Sequence, residues 1–172
     1  MSRRITSITI KDSVAITYEL YNEVSRSWGT HSLEEKEKPL TEFQEALDAL
    51  AQGVCQLREE PVDWKEHVTV VGITLRHDKN GNSKVVIKAH RALDQGGPAI
   101  CNTPLTAVTA ETDDAYTVSD LVATQIDTLC TQAEAYVDGE RSQQTFEFAK
   151  KKSKAPSDGD NGDDDKQEDM DL

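Results

Sequence analysis

The sequence is poor in cysteine, in long apolar runs and in export signals, and each shortage argues against a class of protein. None of its three cysteines has a Cys-x-x-Cys spacing: Cys55, Cys101 and Cys130. This pattern argues against a disulfide framework and a cysteine metal site, and it predicts free thiols in a reducing compartment. No stretch approaches the roughly 18 apolar residues of a membrane helix, and no signal-peptide core follows Met1. We expect a soluble, cytoplasmic protein without a membrane partner.

Recognisable catalytic and cofactor-binding motifs are also lacking. The four histidines show no metal-ligand spacing: His31, His67, His77 and His90. Two of them, His77 and His90, could face each other across a hairpin, but a zinc site would need further ligands. Residues 94–97 predict a turn rather than a phosphate-binding loop, because no Lys-Ser or Lys-Thr pair follows them. The sequence therefore predicts a protein that is not an enzyme and uses no metal or cofactor.

Acidic residues outnumber basic ones by 32 to 19, and the imbalance divides the chain into two parts. Residues 150–172 contain eight acids, five bases and three apolar residues, a composition typical of a disordered tail. We therefore expect a single domain over residues 1–149, followed by a disordered acidic tail over residues 150–172. The domain alone has 24 acids and 14 bases, a balance of −10. Any contact with nucleic acid must therefore come from a local basic patch.

The segment from His67 to Leu93 carries the clearest local structure signal. Two β-rich runs, 68–77 and 83–91, flank the dipeptide Asn80-Gly81. Asn-Gly between apolar runs is typical of a hairpin with a type I′ turn, in which both central residues have φ above zero. The apolar alternation of the first run changes phase beside Gly72, which predicts a β-bulge there.

The same segment is a basic island in an acidic chain. Against one acid, Asp78, it has five bases: Arg76, Lys79, Lys84, Lys88 and Arg91. These bases are suited to contacting a phosphate backbone, although lysines also serve to protect the edge of a sheet. Binding of single strands requires exposed rings as well. Among the nine aromatic residues, Tyr21 and Trp28 are the best stacking candidates.

Alternation of apolar and polar residues predicts further strands on either side of this hairpin. Before it, residues 5–11 and 14–21 form a hairpin of their own. A weaker third strand, with a bulge near Gly29, covers residues 24–33. After it, residues 94–115 predict an irregular excursion with one short strand around 99–102.

Two helices are predicted from their periodicity and end signals. Thr41 and Gln44 form a capping-box pattern that begins the first helix, and this helix ends before Pro61. The second begins near residues 117–119 and ends at Gly139.

The resulting order of elements, βββαββ with a C-terminal helix, predicts an α+β fold. Two architectures fit this order. One is a five-stranded OB-like barrel, a fold that binds oligonucleotides. The other is an open five-stranded antiparallel sheet with both helices on one face. The order of elements and the basic hairpin favour the barrel, whereas two amphipathic helices favour the open sheet.

The acidic tail admits three interpretations. It can act as a solubilising segment without a partner. It can recruit a partner protein by docking its apolar tip in a basic-rimmed pocket, and the tip residues are Asp169, Met170, Asp171 and Leu172. It can also lie over the basic hairpin until nucleic acid displaces it.

The element order of residues 5–93 and the acidic character of residues 158–172 resemble the single-stranded DNA-binding proteins of bacteria and tailed phages. Those proteins join an OB domain to a disordered acidic tail whose hydrophobic tip recruits replication and recombination enzymes. The Met170–Leu172 tip differs from the proline- and phenylalanine-containing ending of the bacterial proteins. The segments 43–57 and 102–104 are also similar to uncharacterised phage and prophage proteins. The resemblance is compatible with a homo-oligomer.

Two functional hypotheses follow. The resemblance and the basic hairpin favour a non-catalytic accessory protein of phage replication or recombination, which binds single-stranded DNA and recruits partner proteins through its tail. The alternative is an acidic interaction or inhibitor module of phage type, which binds a basic host protein and not DNA.

Overall fold

The computed structural model describes residues 2–109 and 116–141, which form an α+β structure as the sequence predicts. The acidic tail, its tip and the predicted domain boundary at residue 149 lie outside these ranges. The elements in chain order are β1 (Arg3–Ile10), β2 (Val14–Asn22), β3 (Ser27–Glu35), α1 (Thr41–Asp48), α2 (Ala51–Leu57), a 3₁₀ helix (Val62–His67), β4 (Val68–His77), β5 (Ser83–Arg91), β6 (Ala99–Ile100), β7 (Thr106–Ala107) and α3 (Asp120–Val137). No helix in the described ranges is long and apolar enough to cross a membrane.

The strands form one mostly antiparallel sheet in the order β3-β2-β1-β4-β5, and both β6 and β7 pair with the remaining edge of β5. The sheet therefore has seven strands where the sequence predicts five. The OB-like barrel is not confirmed, because its closure requires β3 to pair with β5, whereas β6 and β7 occupy that edge of β5. In the described part of the chain the sheet is open, with its helices on one face.

The alternation of side chains along the strands determines which face the helices cover. In β5, Val85, Ile87 and Ala89 are fully buried, whereas Lys84 and Lys88 project from the other side because successive residues of a strand point in opposite directions. The helices complete the core with these residues: Phe43, Leu47, Leu50, Val54, Val122, Ile126, Leu129 and Tyr136. We call the side without helices the outer face, and on β4 and β5 it presents Thr74, Arg76, Lys84 and Lys88.

The two long central strands lie where the sequence predicts them, since β4 and β5 match the runs 68–77 and 83–91. The predicted β-bulge is confirmed by the register shift between Val70 and Gly72. Here β4 approaches β1 so closely that a Cβ atom on Gly72 would collide with the carbonyl oxygen of Ile8. Glycine is therefore required for this contact.

The turn between β4 and β5 differs from the predicted type I′ turn. Gly81 has a φ of +89°, but Asn80 does not have a positive φ. The turn is instead held by Asp78, whose carboxylate accepts hydrogen bonds from the backbone N–H groups of Asn80 (2.8 Å) and Asn82 (2.9 Å). An aspartate side chain that bonds its own turn stabilises a geometry that the Asn-Gly pair alone does not specify.

The predicted capping box of Thr41 and Gln44 is wrong. Leu40 occupies the N-cap position without a side-chain hydrogen bond, and the Gln44 amide donates to Asp48 instead (2.9 Å). The predicted single helix is also divided into α1 and α2. At the division the Leu50 N–H bonds to the carbonyl three residues earlier (3.1 Å), a tightening of the 3₁₀ type.

The C-terminal helix, α3, confirms both of its predicted end signals. The Ser119 hydroxyl caps it by accepting a hydrogen bond from the Val122 N–H (3.4 Å). It ends at Gly139, which has a φ of +104°, a conformation that glycine adopts without strain.

β3 begins three residues later than predicted, because Asn22 holds the preceding turn. Its side chain accepts hydrogen bonds from the N–H groups of Val24 (2.9 Å) and Ser25 (3.1 Å). The register between β2 and β3 is continuous, so the predicted bulge near Gly29 is wrong.

Residues 99–108 form an edge of the sheet and contain the short strand predicted near 99–102. The N–H groups of Cys101 and Thr103 donate to the carbonyls of Ala89 (2.9 Å) and Ile87 (3.0 Å). The Thr103 hydroxyl accepts from the Ile87 N–H (2.9 Å). This segment is therefore an extension of β5 pairing rather than a free loop.

Candidate nucleic-acid interface

Three of the predicted DNA-contacting bases lie together on the outer face. Arg76 is directly opposite Lys84 in the register of β4 and β5, and Lys88 is opposite Gly72. Arg76 and Lys84 are exposed, and Lys88 is half-buried. None of the three forms an ion pair within 4.0 Å with any residue in the described ranges. Their charges are therefore available to an anionic ligand.

Arg91 does not join this group, because it shares the phase of the buried residues of β5. It pairs in register with Val68, its guanidinium lies 3.5 Å from the Glu60 carboxylate, and it stacks 4.6 Å from the centre of the Trp64 ring. Trp64, Arg91 and Leu93 line a separate cavity of about 290 Å³. The Arg91 charge is therefore largely compensated within the protein.

The two predicted stacking residues form a pair on the outer face. Tyr21 is directly opposite Trp28, and their ring centres are 5.3 Å apart with the planes inclined by 57°. The Trp28 side chain is 37% exposed. One further side chain packs on this pair: the Arg4 guanidinium lies 4.0 Å from the centre of the Trp28 ring.

Arg4 is held in this position by a carboxylate from the adjacent strand. Its Nε atom donates to Glu19 Oε2 at 2.6 Å, and the two residues are opposite each other in the register of β1 and β2. Glu19, Arg4 and Trp28 therefore form a ladder across three neighbouring strands. The sequence reasoning missed Arg4, although its phase relative to the buried Ile5 places it on the outer face.

A cleft of about 530 Å³ joins this aromatic pair to the basic hairpin. Its walls are formed by six residues: Arg4, Trp28, His77, Asp78, Lys79 and Gly81. We call it the Trp28 cleft. β1 pairs with β4 only over three residues, from Ser7 to Thr9 on the β1 side, so the two strands separate toward this end. The separation brings Lys79 of the β4–β5 turn to the same cleft as Trp28.

His77 forms the base of this gap through hydrogen bonds at both ring nitrogens. Its Nε2 lies 2.8 Å from the carbonyl oxygen of Ile5, and because a carbonyl oxygen only accepts, Nε2 carries the proton. Its Nδ1 lies 2.8 Å from the Ser83 hydroxyl, which donates to it when the ring is neutral. His77 faces Ser83 in the register and His90 faces Thr69. The two histidines therefore do not face each other across the hairpin.

Asp78 contributes a negative charge to the wall of the Trp28 cleft, but this charge is directed into the turn. Desolvation acts to raise the pKa of the Asp78 carboxyl, and hydrogen bonds from the Asn82 side chain and from the backbone of Asn82 and Asn80 outweigh it and lower the pKa. The Asn82 amide donates to Oδ2 at 3.0 Å. Asp78 therefore stays ionised as a structural residue of the turn.

The helical side of the molecule has the opposite charge. The α-helices contain no lysine or arginine, and their six acids are Glu42, Glu45, Asp48, Asp120, Asp127 and Glu134. The described part of the chain therefore separates charge, with uncompensated bases on the outer face of the sheet and acids on the helices.

Of the predicted site residues, the structure collects six around the outer face and its tip: Tyr21, Trp28, Arg76, Lys79, Lys84 and Lys88. It places Arg91 elsewhere, and the predicted tail site, residues 169–172, lies outside the described ranges. No protein-family model, no curated protein and no solved structure matches the chain.

Proposed function

We propose that the protein binds single-stranded DNA on the outer face of its sheet, without catalysing a reaction on it. One observation carries the proposal. The Trp28 ring and the Lys79 ammonium group line a single cleft, which adjoins a face whose bases have no ion-pair partner in the described ranges.

The chemistry of a single strand fits these two features. Its bases are free to stack on an exposed ring, and each stacked base contributes about 1–3 kcal/mol. Its phosphates are neutralised by Arg76, Lys84 and Lys88 along the hairpin. Arg4 covers part of the Trp28 ring and fixes its orientation, so the ring is prepared for stacking before DNA binds.

The biological setting that we propose is an accessory role in phage replication or recombination, in the cytoplasm. The acidic tail with its apolar tip, residues 169–172, then recruits partner proteins. This part of the proposal rests on the sequence and on its resemblance to single-stranded DNA-binding proteins. A homologous role without an OB barrel requires that the open sheet replace the barrel as the binding surface.

A salt titration tests DNA binding directly. Labelled poly-dT is titrated with the full chain at two salt concentrations, and fluorescence anisotropy reports binding. Four contacting bases give a slope of about −3 in log K against log salt, since each neutralised phosphate of a single strand contributes about 0.7. We expect Lys84→Glu combined with Lys88→Glu to abolish binding.

A matched control is available at the opposite end of β1. Lys11 and Lys36 are both exposed and line a different cavity. Reversing both changes the net charge by the same amount as the Lys84 and Lys88 pair. Equal losses in the two double variants would mean that overall charge, and not the outer face, governs binding.

The acidic helices favour a second candidate function. A surface with six acids and no base suits a basic protein partner, because complementary charge accelerates encounter and opposes wrong partners. In that case the purified protein ignores poly-dT at low salt but binds a basic protein. Glu42→Lys combined with Glu45→Lys would then remove the interaction, whereas the Lys84 and Lys88 variant would retain it.

A further inference from the structure

The two edges of the sheet are protected to very different degrees. At the β5 edge, β6 and β7 have two residues each, and prolines at 98 and 104 interrupt the segment. At the other edge, β3 is nine residues long and contains neither proline nor lysine. In residues 2–109 and 116–141, no strand covers its second edge.

Such an edge is unusual, because proteins normally protect long edge strands with lysine, proline or a bulge. β3 follows β2 in continuous register from Val14–Glu35 to Asn22–Ser27, so no bulge twists it away. Six of its nine residues are exposed in sequence, from Ser27 to Ser32. It is therefore a ready template for another strand.

The charges of this edge select the occupant and its direction. Glu34 and Glu35 lie at one end of β3, and Arg26 precedes the other end. A second copy running in the same direction would place like charges side by side, which is destabilising. A second copy running in the opposite direction places the acidic end of each strand next to the basic end of the other.

We propose that two copies of this chain pair antiparallel through β3 and extend the sheet across a two-fold axis. Because the helices of both copies then lie on one side, residues of equal phase must face each other. Pairing of all nine residues puts His31 opposite His31 of the second copy. It also puts Gly29 opposite Leu33 and Thr30 opposite Ser32.

This register is compatible with the side chains that it brings together. Gly29 leaves space for the half-buried Leu33 of the second copy. Ser27 and Trp28 face Glu35 and Glu34, so no two carboxylates are directly opposed. The outer faces of both copies become continuous, with their Trp28 residues nearest the junction.

Two sets of variants test the pairing in the full chain. Sedimentation velocity across a wide range of concentrations reports the oligomeric state. Thr30→Lys combined with Ser32→Lys places four lysines around the two-fold axis, and we expect it to weaken the dimer by about tenfold or more. Both positions are exposed, and circular dichroism checks that the variant is folded. Thr69→Lys, at an exposed position of β4, serves as the control and stays dimeric.

Cross-linking tests the register itself. His31→Cys brings two thiols together at the two-fold axis, within the Cα separation that a disulfide requires, so mild oxidation yields a covalent dimer. Thr30→Cys, one residue away, faces Ser32 and cross-links far less. A monomeric wild-type protein would overturn the proposal, as would a dimer that survives in the lysine variant. The Lys84 and Lys88 variant keeps the dimer, so failure of DNA binding and failure of pairing are distinguishable.

Discussion

The Arg4 guanidinium lies 4.0 Å from the centre of the Trp28 ring and is fixed there by Glu19. A second pair in the protein has the same geometry: Arg91 lies 4.6 Å from the centre of the Trp64 ring. The two tryptophans have similar exposure, 37% and 40%. Only Trp28 adjoins the uncompensated bases of the outer face, so the second pair is a natural control for the first.

We therefore expect Trp28→Ala to reduce affinity for poly-dT by about tenfold, the effect of losing one stacked base. Trp64→Ala removes an equally exposed ring with an arginine on it and leaves affinity unchanged. Fluorescence anisotropy measures both, and urea denaturation confirms that each variant is folded. Equal affinities for the two variants would contradict a stacking role for Trp28.

The contact between Gly72 and Ile8 predicts a strong effect on stability. A Cβ atom at position 72 collides with the Ile8 carbonyl oxygen and reaches within 2.9 Å of the Thr9 Cα atom. We expect Gly72→Ala to lower the free energy of unfolding by about 2–3 kcal/mol, because overpacking of rigid backbone forces the strands apart. At Gly97 nothing lies within 4 Å of the added atom, so Gly97→Ala leaves the urea midpoint nearly unchanged.

Local sequence was sufficient for β4, β5 and α3 because their information is local. The alternation of Val85, Ile87 and Ala89 determines both the strand and the side from which Lys84 and Lys88 project. The same phase would have separated Arg91 from the other bases. By contrast, β6 and β7 have two residues each, and hydrogen bonds to β5 define them rather than any pattern of their own.

The Trp28 cleft could not be predicted for a related reason. It exists because β1 pairs with β4 over only three residues, which lets the strand ends separate. Pairing between strands that are distant in sequence is a tertiary property. The contribution of Arg4 and the proximity of Trp28 to Lys79 depend on it.

Two helix ends predict opposite responses to the same kind of change. After α2, Glu59 has a φ of +56°, and after α3, Gly139 has a φ of +104°. In both, the N–H of the next residue closes back on the helix: Glu60 to Cys55 and Glu140 to Ala135, each at 2.9 Å. This geometry strains any residue other than glycine. We expect Glu59→Gly to stabilise the protein by about 1 kcal/mol and Gly139→Ala to destabilise it by a similar amount, as measured by urea denaturation. A change of equal sign in both variants would contradict this explanation.

The Cys130 thiol predicts a loss of stability in alkali. Burial in α3, with further contributions from Asp127 and Glu134, raises its pKa from 9.0 to about 12. A raised pKa in the folded state contributes stability that is complete below the ordinary pKa and is lost as the pH rises from about 9 toward 12. In this window the thiol contributes a slope of up to about 1.4 kcal/mol per pH unit. Cys130→Ala removes it, so the difference in unfolding free energy between wild type and variant shrinks from pH 8 to higher pH. Urea denaturation at several pH values measures this difference, and a constant difference would show that Cys130 titrates alike in both states.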